Sequence, residues 1–323
     1  MKHILILSFT ILLTGCVTKS PILELPTAPG TTSNAESLTR ETNDPSQEFY
    51  PKVSPDGKYL LYFAAETEAQ ETTSTTSFGK LFESATTPRK VTNSGSIVKK
   101  TIGSQVRSPL VQDARDASWL PDGEGVVFSY RKPAQPVIVK SNANGVGLNY
   151  VSQGAMGSND SQPNVTKNGE KVIFTTMVGS SKMICSMDMN GGSFTVLTEG
   201  EHVSINPNDP NKIIYNLTVN GRVQIFTMDL KSGQKTQITS GDYSCRDGAF
   251  SPNGNAIAFS SNQEKPNSTT FHIYIMNTDG TGIKQLTQGD TNEGDACWGV
   301  DGWIYFYSNA ASNYNIWKVK PRS

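Results

Sequence analysis

From about residue 35 onward the chain is built of short apolar runs separated by polar turns. Six such runs, at residues 59–63, 126–128, 171–174, 212–215, 256–259 and 303–306, each follow a turn of the Ser-Pro-Asp-Gly kind. The turns lie at 54–57, 120–123, 166–169, 206–209 (degenerate, Asn-Pro-Asn-Asp), 251–254 and 299–302. Asp-Gly and Asn-Gly tolerate positive φ and therefore suit tight hairpins. The runs are nearly continuous in apolar residues rather than alternating, which suits strands covered on both faces. Their aromatic side chains are expected in the core and not in a binding stripe.

After a longer first interval the turns recur every 40 to 48 residues or so, the period of a propeller blade. A second marker, an aliphatic residue followed by Thr or Ser, is expected to end each fourth strand. It occurs at Leu38-Thr39, Val91-Thr92, Val151-Ser152, Leu197-Thr198, Ile238-Thr239 and Leu286-Thr287. Both markers number six, but they differ in phase. Leu38-Thr39 precedes the first turn, and the last unit, from Asp295 to Lys320, has three strands and no fourth. The spacing predicts an all-β, six-bladed β-propeller of four-stranded antiparallel blades over residues 35–323. A strand near Glu36–Thr39 would complete the last blade and close the ring, leaving no half-finished sheet at the seam. Residues 245–288 are the most complete copy of the repeat.

The repeat resembles the TolB-like β-propeller unit, a WD-repeat-like pattern of Ser-Pro-Asp-Gly, Ile-Tyr, Asp-Gly and Leu-Thr. The resemblance covers about residues 35 to 323. TolB carries an additional N-terminal α/β domain that has no counterpart in this sequence. Propellers of prolyl oligopeptidase-like peptidases are similar too, but no Gly-x-Ser-x-Gly elbow of their hydrolase domain is present.

The N-terminus has a different character. Lys2 is followed by an apolar run from Ile4 to Leu13, too short for a permanent span. It ends in Leu13-Thr14-Gly15-Cys16, which resembles a bacterial lipoprotein signal. Residues 1–15 are expected to be the signal peptide, Cys16 the lipidated residue, and 16–34 a Pro/Thr/Ser-rich tether. Val17 after the cysteine, by resemblance to the enterobacterial sorting pattern, points to the outer membrane. The chain of 323 residues carries a formal charge of -1, which offers no electrostatic footprint for nucleic acid.

In an up-and-down blade the strand-two-to-three loops and the blade-to-blade connections share one face. That face holds the expected insertions at 66–80, 93–113 and 260–270, and loops on a rigid scaffold carry function disproportionately. The same face receives the start of each innermost strand. There lie Tyr50, Asp116, Gln162, His202, Asp247 and Asp295, with Arg115 and Arg246 beside two of the aspartates. These eight residues are the candidate binding set at the channel mouth, set against a purely structural role in which the aspartates satisfy backbone donors. No cofactor and no metal are expected, a carboxylate-bound channel cation being the weaker alternative. No catalytic residues are assigned. Cys245 and Cys297 begin neighbouring inner strands, which opens a disulfide as a minor alternative, while Cys185 reads as a buried apolar substitute for an aromatic.

The expected function is a lipid-anchored, non-enzymatic scaffold of the cell envelope that binds a protein or peptide. The first alternative is a carbohydrate-active hydrolase or lyase using Asp116, Asp247 and Asp295, since glycoside hydrolysis needs paired carboxylates. The second is a structural component of an outer-membrane assembly.

Overall fold

The computed structural model describes residues 29–67, 91–131, 135–153, 158–311 and 313–322. The expected signal segment, Cys16 and most of the 66–80 insertion lie outside the described residues.

Six four-stranded antiparallel sheets are present. Blade one is Gln47–Val53, Tyr59–Thr67, Val91–Thr101 and Arg107–Gln112; blade two is Ala114–Trp119, Gly125–Tyr130, Val137–Asn142 and Asn149–Tyr150. Blade three is Ser158–Val165, Lys171–Val178, Ser181–Asp188 and Thr195–Glu199; blade four is Glu201–Ile205, Lys212–Val219, Arg222–Asp229 and Lys235–Gln237. Blade five is Cys245–Phe250, Ala256–Ser261, His272–Asn277 and Lys284–Gln285. Blade six takes Glu293–Trp298, Ile304–Ser308 and Asn315–Pro321 from the C-terminus, and its outer strand is Ala35–Arg40. Leu38 faces Val319 and Thr39 faces Lys318 in that pairing, so the ring closes as the sequence phase predicts. A further pair, Gly30–Thr31 with Thr287–Gln288, sits outside the blades within the stretch expected to be tether.

The core is divided among the blade junctions. Six buried apolar clusters occur, one at each junction. Tyr62, Phe128, Phe174, Tyr215, Phe259 and Phe306 are among the largest fully buried side chains, as the apolar runs imply. Cys185 pairs with Phe174 where Tyr274 pairs with Phe259, and it is fully buried, so it does fill an aromatic's place.

Two phase assignments need correction. Val91-Thr92 does not end a fourth strand; it begins the third strand of blade one, and residues 93–113 are mostly blade rather than connection. A β-branched pair carries no phase in a chain rich in Thr. The turn at Thr101–Val106, closed by Thr101 N–H donating to the Val106 carbonyl at 2.9 Å, carries it instead. Leu38-Thr39 is likewise not the counterpart of Leu286-Thr287. Hydrogen bonds identify the counterpart as Glu41-Thr42: Thr42 Oγ1 accepts the Ile316 N–H at 2.8 Å, as Thr287 Oγ1 accepts the Ile273 N–H at 2.8 Å. Ser152 and Thr239 accept from Ile138 and Ile225 in the same way. The hydroxyl thus takes over from the ladder carbonyl where the outer strand leaves the sheet. At three junctions it also donates to an acid of the next inner strand, in the pairs Thr42–Glu48, Ser152–Asp160 and Thr287–Glu293.

Glu41 therefore stands where blades two and five bury Val151 and Leu286 and blade four half-buries Ile238. It is 7% exposed, and it accepts from Lys100 Nζ at 2.6 Å and the Gly103 N–H at 2.9 Å through Oε1. Lys318 Nζ lies 2.8 Å from its Oε2. The ionic cluster joins the closing strand's exit to blades one and six.

Candidate functional site

Each inner strand makes the same irregularity. Register shifts fall between Phe49 and Lys52, Arg115 and Ser118, Ser161 and Asn164, Glu201 and Ser204, Arg246 and Ala249, and Gly294 and Cys297. In every case one bulged residue has left-handed backbone: Tyr50, Asp116, Gln162, His202, Asp247 and Asp295, all with φ between 53° and 58°. A bulge inserts an extra residue and re-aims its side chain. Asp and His accept this conformation more readily than most residues, whereas Tyr50 and Gln162 hold it at a local cost of about 1–3 kcal/mol each. The six expected channel positions thus converge, and together they line one cavity of about 50 Å³. Typical small-molecule sites occupy roughly 300–1,000 Å³, so the channel neck takes only small groups.

Asp247 is the most heavily engaged of the six. Its Oδ1 is 3.3 Å from His202 Nδ1, and its Oδ2 is 3.4 Å from Arg246 Nε. Asn216, on the second strand of blade four, donates to Oδ1 at 3.5 Å and accepts the Asp247 N–H at 3.3 Å. The Asp295 N–H points to Asp247 Oδ2 at 3.5 Å. Burial pushes the Asp295 carboxyl up to about 7, with the neighbouring Asp247 carboxylate adding to the rise. One ligand atom from each of His202, Asp247 and Asp295 lies within 4.8 Å of the others, so this trio could hold a small cation. Gln162 plays a different part: its Oε1 accepts from Thr175 Oγ1 and from the His202 N–H, both at 3.0 Å, fastening blade three to blade four.

The two arginines occupy equivalent positions in blades two and five, on opposite sides of the ring. Arg115 Nη2 donates to Tyr50 Oη at 2.9 Å, and its guanidinium lies 5.3 Å from the Tyr50 ring centroid. Arg246 Nη2 donates to Tyr307 Oη at 3.2 Å, and its guanidinium lies 3.9 Å from the Phe271 centroid. Phe49, Tyr307 and Tyr314 pack edge-to-face or tilted at 5.2–5.3 Å beside them. Sequence reading missed Tyr307 because aromatic residues of the second strands were assigned to the core, and it missed Asn216, a polar residue on a second strand, and Phe271 and Tyr314, which immediately precede third strands. Tyr307 is indeed buried, but its hydroxyl serves the mouth. Ser118 and Asn164, two residues beyond the bulge, also line the cavity. A second cavity of about 260 Å³ between blades two and three shares Asp116 and Gln162 and is bordered by Arg115 and Lys182.

Cys245 and Cys297 are free and buried, as is Cys185, so the contemplated disulfide does not form. Cys245 packs in the junction of blades four and five, which turns it away from blade six.

The family model described as the TolB beta propeller domain matches residues 204–323. Over that stretch the chain is similar to the TolB β-propeller domain. A putative TolB from Agrobacterium tumefaciens superposes with a TM-score of 0.64 at 16% identity, over 88% of this chain and 97% of that one. TolB from Acinetobacter baumannii gives 0.56 at 13% identity, over 83% of this chain and 64% of its own. An oligogalacturonate lyase from Vibrio parahaemolyticus gives 0.56 at 11% identity, over 91% and 97%. No curated protein matches in sequence. Likeness at these identities speaks for the fold; enzymes and non-enzymes share it.

Proposed function

We propose that this TolB-like propeller is a lipid-anchored scaffold of the cell envelope that holds a protein or peptide partner at its channel mouth, without catalysis of its own. The observation carrying this reading is the convergence of all six bulged residues on one narrow neck, rimmed by two arginines stacked on aromatic rings. Rigid aromatic and arginine side chains around a polar centre are the groups that dominate peptide recognition. The neck is too small for a sugar ring, which argues against glycan chemistry inside it. The Leu-Thr-Gly-Cys16 sequence supports lipidation, and the membrane would then be reached through the N-terminal lipid.

A pull-down from detergent-solubilised envelope should recover a partner, and Arg246→Ala or Asp247→Ala should lose it. Recovery unchanged by every substitution at the mouth would overturn the site. Cys16→Ser should move the protein from the membrane fraction to the soluble one.

One observation favours the carbohydrate-active alternative. Asp295, with its carboxyl pushed up to about 7, stands beside Asp247, as a general acid stands beside a carboxylate. Turnover of any member of a glycan panel, abolished by Asp295→Asn, would establish that alternative instead.

A further inference from the structure

The occupant of the mouth can be narrowed by chemistry, on the footing of the peptide-binding reading above. We propose that the mouth recognises a lysine side chain flanked by acidic residues: the ammonium enters the neck among Asp116, Asp247 and Asp295, and the flanking carboxylates meet Arg115 and Arg246.

Volume sets the first limit. A water needs about 10–15 Å³ of such space, so the neck of about 50 Å³ admits an ammonium and its last methylenes but no ring. Unmet hydrogen bonding sets the second. The Asp116 side chain is only 2% exposed; its Oδ1 accepts from Arg115 Nε at 3.3 Å, but its buried Oδ2, also 3.3 Å from that nitrogen, accepts no hydrogen bond. The Asp295 carboxylate lines the same cavity and accepts none among the described residues. Lys52 also lines the neck and is the one ammonium among the lining residues, but it makes no hydrogen bond or ion pair with these carboxylates, so Asp116 Oδ2 and the Asp295 carboxylate stand without donors. A lysine ammonium carries three donors and no acceptor, and it matches this need.

The rim asks for the opposite charge. A guanidinium has five N–H donors, and Nη1 of neither Arg115 nor Arg246 has a hydrogen-bond partner among the described residues. Stacking on Tyr50 and Phe271, with one Nη2 bond each to Tyr50 and Tyr307, fixes both planes in advance. Such fixed planes suit bidentate binding of carboxylates. Because the arginines stand three blades apart, their carboxylate partners lie on either side of the buried lysine. A bare metal ion would use the neck and leave the rim idle. The cavity between blades two and three gives the rest of the peptide chain a path away from the mouth.

The test is selection of a displayed random-peptide library on the full-length protein, followed by calorimetry with the winning synthetic peptides. Winners should carry Lys with Asp or Glu on both sides. Replacing that Lys by norleucine should weaken binding at least about tenfold, the loss of a charge-assisted contact, and Asp295→Asn should do the same. Replacing the acids by amides should matter only while Arg115 and Arg246 are intact. Winners that need Arg246 and Asp247 but not lysine would overturn this inference while leaving the binding reading in place. Failure of any peptide to depend on the mouth would sink that reading itself. Calcium or manganese alone binding in the neck and excluding the Lys peptide would also overturn the inference. Thermal melts of each variant separate lost folding from lost binding.

Discussion

Replacing Glu41 by leucine makes the closing blade resemble blade five, where Leu286 fills the same position. The resemblance predicts a conservative change, yet the surroundings predict a large loss. Lys100 and Lys318, with side chains 3% and 13% exposed, would lose the carboxylate that both contact. Removing one partner of a buried ion pair typically costs about 3–5 kcal/mol, because a buried charge is left uncompensated. With an unfolding entropy of about 2.1 cal/mol/K per residue, a chain of this size should melt roughly 5–8 °C lower. Replacing the whole cluster, with Glu41→Leu, Lys100→Met and Lys318→Met together, should recover most of that loss, since apolar replacement of a complete buried pair is often close to neutral. Circular dichroism melts of the single and triple variants test this directly. The acid dependence has a definite sign. Burial by itself would raise the Glu41 carboxyl, but Lys100, Lys318 and the Gly103 N–H hold it below its ordinary 4.5. Its contribution is therefore present above that value and fades as pH falls through the folded-state pKa, so the gap between wild type and Glu41→Leu should narrow in acid. A Glu41→Leu variant that melts within a degree or so of wild type at pH 7 would refute the reasoning.

Asp295→Asn should stabilise the propeller increasingly between about pH 4 and 7. The wild-type carboxyl, pushed up to about 7 by burial and by Asp247, with Asp116 on the same side and His202 and Arg246 opposing, costs stability as it ionises; a pH-independent difference in melting would contradict this. Arg246→Lys should keep the charge but lose the stacking on Phe271, so partner binding should fall nearly as far as in Arg246→Ala, measured in the same pull-down. Cys185 and Cys245, whose thiols burial pushes up to about 12 and about 11, should react with an aromatic disulfide reagent only after unfolding. Rapid labelling of the native protein would show that the junctions open. A reducing agent should leave the melting temperature unchanged.

Much of the ring was legible without coordinates. The apolar runs after Ser-Pro-Asp-Gly turns marked the second strands, because a turn with positive φ and a run covered on both faces are local properties of composition. The closing of the last blade followed from counting strands. The phase of the fourth strands was less legible. Val91-Thr92 belongs to a third strand, and Thr42, not Thr39, caps the closing strand, because a two-residue marker of an aliphatic residue and a hydroxyl residue says nothing of which backbone N–H the hydroxyl meets.

The site divides the same way. Counting three positions back from each inner-strand aromatic or its equivalent found Tyr50, Asp116, Gln162, His202, Asp247 and Asp295, because the repeat puts equivalent residues at equivalent heights. The repeat alone does not reveal that all six adopt left-handed backbone, which is what turns them into one neck. Nor does it reveal that Arg115 and Arg246 rest on Tyr50 and Phe271, or that Tyr307 and Asn216 reach them from second strands. The number of blades, their order and the way the ring is closed follow from periodicity and turn chemistry, which each segment carries alone. The chemistry of the mouth arises only in the folded ring, since burial, unmet hydrogen bonds and the stacking of charged groups on rings exist only once six distant strands share a space.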